Sequence, residues 1–495
     1  MDAFRDRLQS HRLYRWFVLV TVGTGMMMAI LSSAIVNIAL PSIAADFGSS
    51  IPTITWVATM YMIIQATLMP VSGRAGDIYG HKKVYIAGLF IFTAMSILCT
   101  FAWDANSLIA ARGLQAVGTS AIAPMALSFV FEAFPGRERA QALGIMGGIL
   151  GAAPVVGLTL GGVLVEAFGW RSVFLVAVPL CLAIAPLAFL VLKESEPEAG
   201  SRSFDVGGGV LLSAGMFGGL LGLSQGRSWG WDNINTLSCF AAFAVLLALF
   251  VLREMRIKRP MLDLGLFKFR SLTSANVAGF FSSGAMFGTF ILLPFYFQSV
   301  LGDKPAGTGF KIAPLALMFL LMAPLGGRLT TRLGARMTTH LGLLIAGAGF
   351  LLISFVVSVD ASGLRLELPI AIMGIGLGLT MAPLTTAAMH DVPPGKRGIA
   401  ASLPNMSRFV GASFGMAIVG TFLTWRLTAH LAELGMQAGP GAASGPSGGT
   451  VQMIENPVVR EAFAAAFQDV FRFTLLFVVA GIVAASFVPP LRHRE

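Results

Sequence analysis

The feature that most constrains this chain is the recurrence of apolar runs, each long enough to cross a lipid bilayer, from Trp16 to Pro490. A helix rises about 1.5 Å per residue, so about 20 apolar residues cross a hydrocarbon layer about 30 Å thick. Inside that layer no water satisfies an open backbone, so the runs must be helices. Composition removes the soluble alternative. The chain is 56% hydrophobic and 12% charged, with a mean hydropathy of +0.79, against roughly 25% charged for soluble domains. The reading is an all-α polytopic membrane protein.

Fourteen spans are predicted, at 16–38, 53–73, 84–103, 107–131, 140–165, 172–192, 206–225, 235–252, 273–299, 307–327, 338–358, 368–389, 398–424 and 470–490. An even count puts both termini on one side. The 34 Lys and Arg residues choose the side, because basic residues favour cytoplasmic loops. With both termini cytoplasmic, only Arg171, Arg227, Lys304, Arg365, Arg426, Arg460 and Arg472 fall in external segments, and Arg112, Lys311 and Arg408 fall within spans. The remainder face the anionic lipid headgroups. That accounts for the net charge of +10 without nucleic acid as a partner. The first apolar run lacks a small-residue cleavage site and reads as a retained helix, not a signal peptide. Cys99, Cys181 and Cys239 lie inside apolar runs, with neither metal spacing nor a disulfide framework. No cofactor is implied.

One loop is long, 426–469, with Gly439-Pro440-Gly441 and Gly445-Pro446 within it. It reads as a flexible external segment whose flanks, 427–436 and 458–467, form short amphipathic helices on the membrane. The two ends of the chain echo one another. Gly73-Arg-Ala-Gly-Asp77-Ile-Tyr-Gly80-His-Lys82-Lys83 follows the second span, and Gly327-Arg-Leu-Thr-Thr-Arg332-Leu-Gly334-Ala-Arg336 follows the tenth. Three domains follow: a six-helix bundle over 1–195, two inserted helices over 196–260, and a second six-helix bundle with the long loop over 261–495. Repeated halves are a mark of transporters that bind substrate between them.

At these residues the chain resembles the fourteen-helix drug:proton antiporters of the major facilitator superfamily. Gly73, Asp77, Gly80, Lys82 and Lys83 are similar to that superfamily's motif between spans 2 and 3. The stretch from Leu108 through Arg112 and Gln115 to Gly118 resembles its span-4 motif. Pro154, Gly157, Gly161 and Gly162 resemble the span-5 antiporter motif, with Ala153 and Leu158 departing from it. Trp170-Arg171 resembles the opening of span 6, and 259–267 the loop before span 9. The resemblance implies a proton-coupled exporter of hydrophobic or amphipathic compounds, with Arg112 facing the cavity and tied to proton coupling. It also admits a periplasmic adaptor as partner, for which the 426–469 loop is the contact.

Physical chemistry supplies a role for each motif. The glycines of 73–83 allow a tight turn, and Asp77 either caps a neighbouring helix or pairs with a basic residue, latching one side shut. In span 5 the glycines let another helix approach, and Pro154 bends the helix at a gating seam. Intramembrane charge is costly and marks function, which points to Arg112, Lys311 and Arg408. Ser32, Asn37, Gln65, Gln115, Asn276 and Asn405 are candidate polar partners along the pathway for substrate or protons. Ser32 stands where the family commonly has an acidic residue, and no Asp or Glu falls in the middle of any other predicted span. Two readings follow: proton transfer falls to Glu132, His340, His390 or Asp77, or else the cavity is net positive through Arg112, Arg408 and Lys311 and favours anionic or neutral amphipaths. A lipid or lipid-precursor translocator and an exporter of an anionic metabolite are the alternatives. An enzyme is not indicated, since no phosphate loop or cluster of catalytic spacing is present.

Overall fold

The computed structural model describes residues 13–49, 51–195, 205–257, 260, 262, 264–303, 305–361, 363–393, 396–434 and 456–489. Among them there is no strand. The helices are α1 (Tyr14–Phe47), α2 (Ile51–Tyr79), α3 (His81–Thr100), α4 (Ala105–Ala133), α5 (Gly136–Phe168), α6 (Ser172–Val191), α7 (Val206–Trp229) and α8 (Ile234–Glu254). They continue as α9 (Arg270–Val300, its last turn a π-turn), α10 and α11 (the parts of Pro305–Val356 before and after Gly334), α12 (Leu364–Met389), α13 (Arg397–Glu433) and α14 (Pro457–Ser486). All fourteen predicted spans coincide with a helix among the described residues. The basic N-terminal residues before 13, the Gly-Pro stretches of 435–455 and most of 259–263 lie outside the described residues.

Two breaks between helices take a single residue. Gly80 (φ 97°, ψ 136°) separates α2 from α3, and Gly334 (φ 82°, ψ 160°) separates α10 from α11. A positive φ reverses the chain with no steric penalty only where Cβ is missing. Gly73–Tyr79 is therefore the last two turns of α2 rather than a loop, a correction to the predicted turn. The same seven-residue interval separates Gly327 from Gly334, so the two ends of the chain share this corner.

Other boundaries also move. α13 extends to Glu433 and α14 begins at Pro457, so the flanks expected as separate surface helices continue the spans. The long non-helical segment contracts to the residues between them. Charge at Arg426 and Asp469 interrupts the apolar pattern, but in the fold the two side chains meet at 2.7 Å, and His430 reaches Asp469 at 2.9 Å. Paired charges between adjacent helices leave no reason for either helix to stop. Asp469, just outside the predicted span 470–490, thus lies within α14.

Buried apolar side chains form two large clusters, one drawn mainly from α1–α6 and one from α9–α14. A third joins α7, α8, α9, α12, α13 and the end of α14. Large apolar residues on the outer faces remain uncovered, among them Phe90, Leu182, Val245, Phe355 and Leu476. In water such surfaces drive association; in a bilayer they meet lipid.

Candidate functional site

One contact between the two halves is built at the Gly80 end of the bundle. Asp77, on the last turn of α2, accepts a hydrogen bond at Oδ2 from the amide of Ile399 at 2.9 Å. Ile399 is the third residue of α13, whose first amides have no partner within their own helix. A carboxylate there gains both the hydrogen bond and the positive end of the helix dipole. The cap foreseen from sequence is present and joins α2 to α13. Its other oxygen lies 3.3 Å from Nε2 of His81, whose Nδ1 lies 2.8 Å from Glu132 Oε1 on α4. His81 itself is buried. Sequence reading passed over it within the motif; its four-residue separation from Asp77 was the available signal.

Around this joint, Lys82 is buried and donates from Nζ to Phe189 O at 2.6 Å, while Lys83 is exposed. Gly73 is buried within α2. Next to it, α5 meets α10 with almost no side chain between them. A Cβ on Gly144 would stand 2.5 Å from Ala323 O and 2.7 Å from Pro324 Cα, and one on Gly327 would collide with Ala140 O on α5. Gly147, Gly148 and Gly151 line the same face, against Met381, Ala323 and Phe319. The seam therefore lies one to three turns before the motif that sequence singled out. Gly157 and Gly161 face α1 instead, where added Cβ atoms would meet Leu31 O at 3.2 Å and Ile35 Cγ1 at 2.7 Å. Gly162 faces open space, and α5 is continuous through buried Pro154. The regular spacing of Gly144, Gly148 and Gly151 was readable as a small-residue stripe.

Arg112 is fully buried, but within the first half. Its Nη1 donates to Ser32 Oγ at 3.0 Å and Gln115 Oε1 at 2.5 Å, its Nη2 to Ser32 O at 3.2 Å, and its Nε to Val57 O at 3.5 Å. The guanidinium lies 4.0 Å from the Tyr61 ring centroid, and Gln115 Nε2 continues the network to Ser96 Oγ at 2.5 Å. Ser32 and Gln115, expected along the pathway, are its partners instead; the expectation that Arg112 faces the cavity is corrected. An enclosed guanidinium satisfied by α1, α2 and α4 clamps those helices together.

The remaining candidates separate. Lys311 pairs with Asp303 at 2.6 Å, so it is no free cavity cation. Asn37 is exposed, and buried Gln65 has no partner for Oε1. Arg408 is buried with Asn405 beside it. His340 contacts Arg336 O at 2.7 Å and Ser486 Oγ at 2.9 Å, and His390 contacts Asp391 at 2.9 Å. At the opposite end, Trp170 and Arg171 both donate to Asp46 on α1, at 3.0 and 2.9 Å. Among the described residues no group of three or more His, Cys, Asp or Glu is placed to hold a metal.

Membrane-length helices packed as two helical halves, joined by breakable contacts, define an integral membrane protein of the transporter class. The family model of the Major Facilitator Superfamily matches residues 22–416, and the chain belongs to that superfamily. It is 31% identical to the multidrug transporter protein MdtP of Bacillus subtilis (strain 168), across 95% of this chain and 93% of that protein. It is 33% identical to the multidrug resistance protein Stp of Mycobacterium tuberculosis (strain CDC 1551 / Oshkosh), across 83% and 76%. It is 32% identical to the riboflavin transporter RibZ of Clostridioides difficile (strain 630), across 84% and 89%. Among solved structures, the human organic anion transporter MFSD10 shares the fold at a TM-score of 0.62 and 13% identity, across 94% of this chain and 99% of that one.

Proposed function

We propose that the chain is a proton-coupled exporter of hydrophobic or amphipathic small molecules in the bacterial inner membrane, with both termini cytoplasmic. It works by alternating access between 1–195 and 261–495, with the inserted helices of 196–260 beside them. The observation that carries this reading is the 2.9 Å contact from Asp77 to the amide of Ile399. It binds one half to the other at the end where the loops are basic, and by the charge bias that end faces the cytoplasm. The conformation described is then closed to the cytoplasm. A hydrogen bond, a helix dipole and bare glycine backbones make a joint that can open, and a transporter needs two states close in energy. The relatives support the substrate class, since two are named for multidrug transport or resistance and one for riboflavin.

Coupling requires a group whose proton affinity differs between the two states. One acid–imidazole cluster offers it, at the Gly80 end of the bundle: Asp77–His81–Glu132. With both neighbouring carboxylates ionised, each nitrogen of His81 must donate, so the closed arrangement favours the imidazolium. Loss of that proton removes one support from the carboxylate that holds α13.

Transport in proteoliposomes with an imposed pH gradient tests the reading, using an anionic, a neutral and a cationic amphipath. Uptake that follows the gradient is expected. Asp77→Asn is expected to slow it about tenfold to a hundredfold, the worth of one charge-assisted hydrogen bond. In the same variant, maleimide labelling of a Ser402→Cys probe, at a buried position on α13 just beyond Ile399, should rise. Transport by the unmodified protein that persists after the gradient is collapsed would overturn coupling and favour a lipid or lipid-precursor translocator.

A further inference from the structure

We propose that α9, α12 and α13 form a subsite for an anionic oxygen group on the transported molecule, with Arg408 as its charge and Asn405 as a second donor. The proposal deepens the exporter reading and rests on it for the statement that the bound molecule is transported.

The contrast between the two buried arginines carries the argument. Arg112 has hydrogen bonds from Nε and from both terminal nitrogens, and an aromatic ring against its face. Arg408, only 8% exposed, has two hydrogen bonds: Nη2 to Thr385 Oγ1 at 2.5 Å, and Nη1 to Asn405 Oδ1 at a limiting 3.5 Å. A guanidinium carries five N–H donors, so most of this one is unused, and no carboxylate pairs with it among the described residues. A buried cation is costly unless an opposite charge meets it.

The surrounding polar atoms are unused as well. Asn405 is buried, and its Nδ2 has no partner. Because its Oδ1 turns to Arg408, Nδ2 on the same amide stands beside the guanidinium. Thr386 Oγ1, one residue past Thr385, and Asn276 Oδ1 on α9 are also without partners. Ser407 donates to Asn276 O at 2.7 Å, which fixes α9 against α13 at this level. The Arg408 stem then runs past Gly279, where a Cβ would stand 4.0 Å from its Cγ.

The Arg408 guanidinium and the Asn405 amide, side by side on α13, suit a carboxylate, sulfonate or phosphate oxygen. The one orphaned acceptor, Asn276 Oδ1, suits a hydroxyl or N–H next to that group. Farther along α9 and α13, Phe280 and Phe414 pack at 5.4 Å, and Phe281 packs on Phe477 of α14 at 6.3 Å, apolar rings suited to the body of an amphipathic acid.

The test uses the purified full-length chain in detergent and two probes with one apolar body, 1-pyrenebutyrate and 1-pyrenebutanol. Binding is read by energy transfer from tryptophan to pyrene. The unmodified protein should bind the carboxylate at least about tenfold more tightly than the alcohol, as a charge-assisted contact implies. Arg408→Gln should bring that ratio near one, because it weakens the carboxylate far more than the alcohol. Asn405→Ala should lower the ratio by about threefold to tenfold. A ratio near one in the unmodified protein, or a ratio that survives Arg408→Gln, would overturn the subsite. If Arg408→Gln does not fold, Asn405→Ala decides, and an unchanged ratio overturns it. Transport of the same probes in proteoliposomes is scored separately. Selective binding without transport counts against the exporter reading and not against the subsite.

Discussion

Gly327→Val should cut transport to a few per cent of the unmodified rate while leaving a folded protein. At this position α10 crosses α5 backbone to backbone, and an added Cβ would collide with Ala140 O and stand 2.7 Å from Ala140 C and 3.0 Å from Gln141 Cα. None of those atoms belongs to a side chain that can rotate away. Overpacking typically costs about 1–3 kcal/mol, and a neighbour that cannot yield argues for the upper part of that range. At about 1.4 kcal/mol per factor of ten, the closed state would lose its population by about a hundredfold. The contact exists only where the halves meet, so the cost falls on one conformation and not on the fold of either half. Transport per folded molecule should drop to a few per cent of the unmodified rate, with a monodisperse protein and a raised cytoplasmic reactivity of the Ser402→Cys probe. Gly162→Val is the matched control, because a Cβ at Gly162 meets nothing within 4 Å. Equal loss in both variants would show that the α5–α10 seam has no special part in closure.

Arg112→Lys should damage stability more than Arg112→Met, although lysine keeps the charge. The guanidinium is held by Ser32, Gln115 and Val57 and lies against Tyr61. An ammonium cannot reproduce the planar fork or the ring stacking. It therefore leaves a buried charge with fewer partners, for which a loss of about 3 kcal/mol is the expected scale. Methionine fills similar space and removes the buried charge; Ser32 and Gln115 lose a donor, but no ion is left uncompensated, which softens the penalty. Thermal unfolding of the purified protein, together with transport normalised to folded protein, separates clamp from carrier. A lower midpoint with near-normal transport by surviving molecules is expected of the clamp. An unchanged midpoint with lost transport would return Arg112 to the proton or substrate pathway.

Several parts of this site were legible before any fold was known. Asp77 stood out because an acid within a basic corner serves no topological purpose, and it caps α13 as that logic required. Arg112, Ser32 and Gln115 were all singled out as polar groups in an apolar setting, but that they bond to one another appears only in the fold. What sequence misjudged was direction. Three-residue spacing brings Arg112 and Gln115 together, but it does not say whether their helix face turns toward its own bundle or toward the opposite half. The same limit moved the α5 seam from Gly157–Gly162 to Gly144–Gly151, since a glycine stripe marks a close approach without naming the helix that approaches. Lys311 looked isolated because Asp303 lies across a helix start, and the pair forms only when the chain turns there.

The sequence by itself determined that this protein lies in a membrane, how many helices it has and that a glycine-rich corner reverses the chain between α2 and α3, though not that Gly80 alone makes the break. Those outcomes follow from local rules: hydrocarbon thickness sets helix length, unsatisfied amides forbid other backbones, and only glycine takes a positive φ without strain. Tertiary structure alone decided which buried charges are spent and which are available. Arg112 and Arg408 are equally apolar in their surroundings along the chain, yet one is enclosed by acceptors from α1, α2 and α4, and the other retains unused donors between α9, α12 and α13. Hydrogen-bond satisfaction depends on what neighbouring helices bring within about 3 Å, and residues far apart in sequence supply it.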